Sequence, residues 1–246
     1  MSIIADIKNY IKNLVFPVTC VCCHEFTEHE GLCNRCWSKI KWISHPHCNV
    51  CGTPLQLGVQ LCEECRQQTN KYFFDKAVSV FLYDDFSKRM ILRMKDEDET
   101  YLAPILSTWL FRIIQDFVND IDYIIPVPTD FFRRMSRKYN PPELLARELS
   151  QLANIVYEPR FLKKKTTFVR QKQLTRRERL KNLSESFAID EKFDAFLQDK
   201  RILLIDDVIT TGATSNECSK ILKKHGAAKV YVATVAKVIL GKKHSD

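Results

Sequence analysis

The chain of 246 residues is 45% hydrophobic and 28% charged, a balance that excludes a disordered, collagenous or low-complexity protein and leaves room for one or two domains with a real core. No apolar run reaches the roughly 18 residues of a membrane span, and Asp6, Lys8 and Lys12 interrupt the first segment, so neither stable membrane insertion nor a secretory leader is expected and the chain reads as cytoplasmic. The net charge of +8 bears on polyanionic partners only where it is clustered.

The first expected element covers residues 1–17, where Ile3, Ile4, Ile7, Ile11, Leu14 and Val15 are spaced for one face of an amphipathic helix. Its polar face carries only scattered lysines, which favours packing on its own domain over a membrane surface. Residues 18–68 form a cysteine-rich module holding nine of the ten cysteines. Eight make four Cys-x-x-Cys pairs: Cys20 with Cys23, Cys33 with Cys36, Cys48 with Cys51, and Cys62 with Cys65. Cys22 is left over. A two-residue spacer turns both thiolates to one side, so each pair grips one metal and two pairs complete a tetrahedral zinc site. Disulfides are disfavoured in a reducing cytosol, a redox Cys-x-x-Cys needs one pair opening a helix, and iron–sulfur clusters rarely use four evenly spaced pairs. Two structural zinc ions are therefore expected. Adjacent pairing, as in a double zinc ribbon, and cross-braced pairing both fit the spacing. His24, His45 and His47 are read as solvated neighbours, because thiolates already fill both sites. With no open coordination position, the metal serves folding rather than Lewis-acid chemistry.

Residues 72–246 change to an alternation of strands and helices. A strand is expected over Ala77–Tyr83, helices over Phe86–Met94 and Leu102–Val118, a strand over Tyr123–Val127 and a helix over Pro142–Leu152, with proline suited to its opening turn. Further on, Arg201–Ile205 reads as a buried strand followed by a polar loop. A helix over Ser215–Lys224, closed by Gly226, and a strand over Lys229–Ala236 complete the series. Such alternation specifies an α/β domain with a mainly parallel sheet flanked by helices, in which ligands sit at the carboxyl ends of strands.

Two segments between these elements concentrate charge. From Arg160 to Lys181 there are ten basic residues, Arg160, Lys163, Lys164, Lys165, Arg170, Lys172, Arg176, Arg177, Arg179 and Lys181, against the single acid Glu178. Arg133, Arg134, Arg137 and Lys138 form a second group, and Phe131, Phe132, Tyr139, Phe161 and Phe168 are interspersed or nearby. Cations that follow a backbone beside rings that stack on bases suit single-stranded nucleic acid. A loop that closes over pyrophosphate needs the same cations.

The loop after Ile205 carries the densest chemistry. It runs Asp206, Asp207, Val208, Ile209, Thr210, Thr211, Gly212, Ala213, Thr214: two carboxylates, then a hydroxyl-rich turn entering a helix. Backbone amides at such a turn, with the helix dipole behind them, suit a phosphate monoester. The two carboxylates would repel that phosphate, so they suit ribose hydroxyls that donate to them.

This segment, without a gap from Ile202 to Thr214, resembles the 5-phosphoribosyl 1-pyrophosphate (PRPP) signature of type I phosphoribosyltransferases. The resemblance implies that Asp206 and Asp207 hold the ribose 2′ and 3′ hydroxyls and that Thr210, Thr211, Gly212, Ala213 and Thr214 cradle the 5′-phosphate, with Mg2+ entering on the ligand. Together with the cysteine module it points to the ComF proteins associated with natural competence. Arg89–Lys95 resembles that family's helix, Ile125–Thr129 its pyrophosphate loop, and Gln171, Leu174, Arg179, Asn182 and Phe187 its downstream motif at every spacing. Where the family has Arg-Gly-Phe-Asn-Gln, this chain has Arg137-Lys138-Tyr139-Asn140-Pro141.

The resemblance implies a type I phosphoribosyltransferase-like fold with a small N-terminal zinc module, and a DNA-uptake factor that binds PRPP, single-stranded DNA and protein partners of the uptake machinery. Two alternatives stand beside it: a salvage phosphoribosyltransferase, which leaves the zinc module unexplained, and an adaptor with a vestigial transferase domain. Thr210 occupies the position where hypoxanthine-type transferases carry an acid that helps deprotonate the base; orotate-type enzymes also carry threonine there. Transfer to an acceptor therefore stays open.

Overall fold

The computed structural model describes residues 18–67, 72–96, 99–129, 139–165 and 186–239; the helix expected over 1–17 lies outside them. At its centre is a five-stranded sheet in the order β1–β7–β6–β2–β3, with every neighbouring pair parallel. The strands are β1 (Lys76–Leu82), β2 (Tyr123–Pro126), β3 (Val156–Tyr157), β6 (Arg201–Ile209) and β7 (Lys229–Lys237). A separate antiparallel ladder joins β4 (Lys163–Lys164) to β5 (Phe187–Ala188).

A parallel sheet must be covered on both faces, and alternation along the strands shows how. Leu203, Ile205, Tyr231 and Ala233 face a core built with α3 (Lys88–Asp96), α4 (Leu102–Ile114) and α5 (Pro141–Ala153), through Met90, Leu106 and Leu145. Ile202, Leu204, Val230 and Val232 face the other way, onto Leu197 of α6 (Asp194–Leu197) and Cys218 and Leu222 of α7 (Ala213–Lys224). Prolines open α5, and Asn154, left-handed at φ 53°, closes it by donating to the Ser150 and Gln151 carbonyls.

Two boundaries differ from expectation by more than two residues. The helix expected to Val118 ends at Ile114 and continues as a 3-10 turn over Gln115–Asp120. The strand expected to stop at Ile205 runs to Ile209, because the backbone of Asp206, Val208 and Ile209 stays paired with Thr234, Ala236 and Lys237. Both aspartates thus stand on a strand rather than in a loop.

The cysteine module contains α1 (Asn34–Trp37) and α2 (Glu63–Gln67) and lies along the outer edge of β1. Ile43 N–H donates to the Val80 carbonyl at 2.9 Å, Leu82 N–H to Lys41 at 2.9 Å, and Ala77 N–H to Val50 at 2.7 Å. An edge strand that would otherwise template aggregation is thereby covered. Trp42 joins the layers, its ring 4.3 Å from Trp37 and 5.2 Å edge-on to Trp109 of α4. The buried Arg93 guanidinium donates to the Val21 carbonyl at 2.6 Å. Val21 and Ile40 of the module join the larger core, whereas Val50, Leu55 and Leu61 gather around Cys48, Cys51 and Cys65 in a small cluster.

Candidate functional site

The eight paired cysteines assemble into two groups, Cys20, Cys23, Cys33 and Cys36, and Cys48, Cys51, Cys62 and Cys65, with the ligand atoms of each group within 4.8 Å of one another. Adjacent pairing therefore holds, and Cys22 belongs to neither group. The Sγ atoms of Cys23 and Cys33 are 3.7 Å apart and those of Cys51 and Cys62 3.6 Å, close to the edge of about 3.8 Å of a tetrahedron with 2.3 Å zinc–sulfur bonds. Burial raises the Cys20 and Cys48 thiols, but backbone amides donating to each sulfur outweigh it and bring both down to about 7. Cys36 and Cys65 are pushed far up by burial and by neighbouring cysteines. Four thiolates so close ionise together only around a cation, so the donor set fits zinc. Of the flanking histidines, His24 and His45 are exposed as expected; His47 is partly buried, stacked on His45 at 4.2 Å, and its Nδ1 has no partner.

At the carboxyl end of β6 the chain turns into α7 through Thr210, Thr211 and Gly212. Gly212 is left-handed at φ 75° and offers no side-chain cap; the Ala213 N–H donates to Thr211 Oγ1 at 3.3 Å, and the amides that follow stand at a helix amino end, where an anion can accept from them. A Cβ there would sit 3.3 Å from Cε1 of Tyr72. Asp206, Thr210, Thr211, Gly212, Ala213, Thr214 and Ser215 line a cavity of about 40 Å³ at this turn, a size for one small anionic group.

Successive residues of a strand face opposite ways, and the two aspartates differ accordingly. Asp206 belongs to the cavity, and its Oδ1 accepts the Asp207 N–H at 2.9 Å. Burial pushes its carboxyl up to about 8, and the Asp207 carboxylate adds to the push. Asp207 turns towards α3, where its Oδ2 pairs with Lys95 Nζ at 2.7 Å. Lys95 was part of a resembling segment but had no expected role; an ion pair across 112 positions leaves no local signal.

A second cleft, of about 450 Å³, adjoins the end of β2 and is lined by Pro126, Pro128, Thr129, Asn140, Lys163 and Lys164 among others. Asn140 is buried at 5% exposure; its Nδ2 donates to the Val127 carbonyl at 3.4 Å and its Oδ1 has no partner. Lys163 and Lys165 are exposed, and Lys164 lies 5.7 Å over the Phe187 ring. Arg133, Arg134, Arg137, Lys138, Arg170, Lys172, Arg176, Arg177 and Arg179 lie outside the described residues.

Comparison with known proteins gives this arrangement its family. A double zinc ribbon domain model matches residues 11–70, and a phosphoribosyl transferase domain model matches residues 108–246. The chain is 32% identical over 213 residues to competence protein F of Haemophilus influenzae, spanning 85% of this chain and 91% of that protein. It belongs to the ComF family. Further ComF relatives are DNA utilization protein YhgH of Escherichia coli, 26% identical over 83% of this chain and 89% of that one, and competence protein ComFC of Streptococcus pneumoniae, 26% identical over 81% and 84%. This ComF chain thus combines a double zinc ribbon, with two structural four-cysteine zinc sites, and a phosphoribosyltransferase-type parallel sheet. Among its described residues no helix is long and apolar enough to cross a membrane.

Proposed function

We propose that this ComF chain binds PRPP, or a related ribose phosphate, at the turn between β6 and α7 and handles single-stranded DNA in natural transformation. The observation that carries the proposal is the cavity joining Asp206 to Thr210, Thr211, Gly212, Ala213 and Thr214 at the start of α7, where Gly212 supplies no side-chain cap. In this assignment the 5′-phosphate accepts the amides of the turn, and the ribose 2′ and 3′ hydroxyls donate to Asp206 and Asp207, the latter positioned by Lys95. Mg2+ arrives on the pyrophosphate, which extends towards Thr129, Lys163 and Lys164. Zinc contributes folding energy to the ribbons and takes no chemical step.

Relatives named for competence and DNA utilization support the DNA role, as do the basic segments. Titrating the zinc-loaded chain with PRPP and Mg2+, and separately with oligothymidylate, tests both halves. Saturable binding of each is expected; absence of PRPP binding overturns the first, and absence of DNA binding at low salt overturns the second in favour of an adaptor.

A further inference from the structure

The cleft of about 450 Å³ at the end of β2 carries two chemistries. Lys163 and Lys164 offer ammonium groups that suit an anion, pyrophosphate included. Asn140 offers the opposite. It is buried at 5% exposure, and among the described residues its Oδ1 is shielded from water without a hydrogen-bond partner. Pyrophosphate carries acceptor oxygens only, so it cannot satisfy this carbonyl. Glu143 adds a carboxylate to the lining, and Arg160 is taken up by Glu158 at 2.6 Å.

Local sequence explains why the Asn140 oxygen is unspent. Asn140 is the N-cap of α5, where an asparagine carbonyl ordinarily accepts an amide of the first turn. Pro141 and Pro142 have no N–H, and the next two amides, of Glu143 and Leu144, donate to the Asn140 main-chain oxygen at 2.9 and 3.1 Å. No side-chain cap forms. A shielded acceptor left unpaired is costly, so its retention beside a cleft points to a ligand that brings an N–H to it. Asn140 Nδ2, 3.4 Å from the Val127 carbonyl, is held loosely, which leaves the amide edge able to meet a donor and an acceptor side by side. Pro126, Pro128, Pro159 and Leu162 make the remaining lining apolar, as the faces of a flat heterocycle require, and the volume is that of pockets for one small organic group.

We infer that this cleft grips one nucleotide of a DNA single strand by its base, with Asn140 Oδ1 accepting the exocyclic amino group of cytosine or adenine and Lys163 and Lys164 following the strand's phosphates. The assignment rests on the reading that the chain handles single-stranded DNA and adds which bases it holds. Thymine has no amino group, and its one ring N–H stands between two carbonyl oxygens.

In the full zinc-loaded chain, oligodeoxycytidylate should bind roughly tenfold tighter than oligothymidylate of equal length, the scale of one buried acceptor gaining its donor. Replacing the cytosine amino groups with dimethylamino groups should remove the difference. Asn140→Leu should bring both strands to one affinity, whereas Asn140→Asp, which keeps an acceptor oxygen, should keep oligodeoxycytidylate ahead; zinc content reports that each variant is folded. Equal binding of the two strands by the parent chain, a dimethylated strand as tight as the unmodified one, or a preference that survives Asn140→Leu overturns the cleft assignment alone. Deoxycytidine 5′-monophosphate binding as tightly as the strand would overturn it in favour of a free nucleotide. If neither strand binds at low salt, the DNA reading falls and takes this one with it.

Discussion

Replacing Asp206 with asparagine tests the electrostatics of the site through a proton count. In the ligand-free chain burial holds this carboxyl at about 8, with Asp207 adding to the shift. At pH 7 a group with that value is about nine-tenths protonated. Accepting ribose hydroxyls favours its ionised form, in which both oxygens are acceptors, and Mg2+ brought by the phosphates favours the same form. Binding of PRPP should therefore release about 0.9 proton from Asp206 at pH 7, about 0.5 at pH 8 and about 0.1 at pH 9, given the value of about 8. Because a proton leaves on binding, affinity should rise nearly tenfold per pH unit below 7 and level off above 8. Calorimetry in two buffers of different ionisation enthalpy measures the release, and subtracting the Asp206→Asn count removes protons from the ligand's own phosphates. The variant should lose the Asp206 proton and its pH slope, and should bind PRPP more weakly by about 1.5–3 kcal/mol at pH 8 or above. Equal counts in the two proteins would refute the reasoning. Folding is linked to the same group: the native carboxyl keeps a proton that the unfolded chain loses near 4, so its contribution to stability falls as pH rises from about 4 to about 8.

Elemental analysis of chain prepared without chelator should find two zinc ions, since eight thiolates fill two tetrahedral sites; finding none would overturn the structural role of the module. Lys95→Met leaves the Asp207 carboxylate, 10% exposed, without its cation and should lower unfolding free energy by about 1–3 kcal/mol, less than a fully buried pair; an unchanged denaturation midpoint would contradict the pairing. Changing Lys163, Lys164 and Lys165 to glutamine should weaken single-stranded DNA binding and flatten its log–log salt dependence by up to about 2, at about 0.7 per phosphate contact. A parental slope in that variant would assign the lysines to pyrophosphate instead.

The zinc centres were legible because ligand spacing is a local property: a two-residue spacer fixes how two sulfurs point whatever surrounds them. Which pairs share a metal was not, since that depends on how the module folds back on itself. The buried strands announce themselves as apolar runs such as Ile202–Ile205, but the polarity of Asp206 and Asp207 reads as the start of a loop. Side-chain polarity says little about a backbone ladder that continues to β7 through Ile209. The turn over Thr210–Thr214 was readable from its hydroxyls, glycine and following helix. Its surroundings were not: Tyr72 stands beside Gly212 and Lys95 pairs with Asp207 on β6, each from a distant part of the chain.

A crystal structure of the zinc-loaded chain with PRPP and Mg2+ tests the central claim most directly. The expected result is the 5′-phosphate on the amides of Thr210–Thr214 at the start of α7, with the ribose hydroxyls towards Asp206 and Asp207. PRPP bound elsewhere on the chain, with this turn holding no phosphate at saturating ligand, would contradict it.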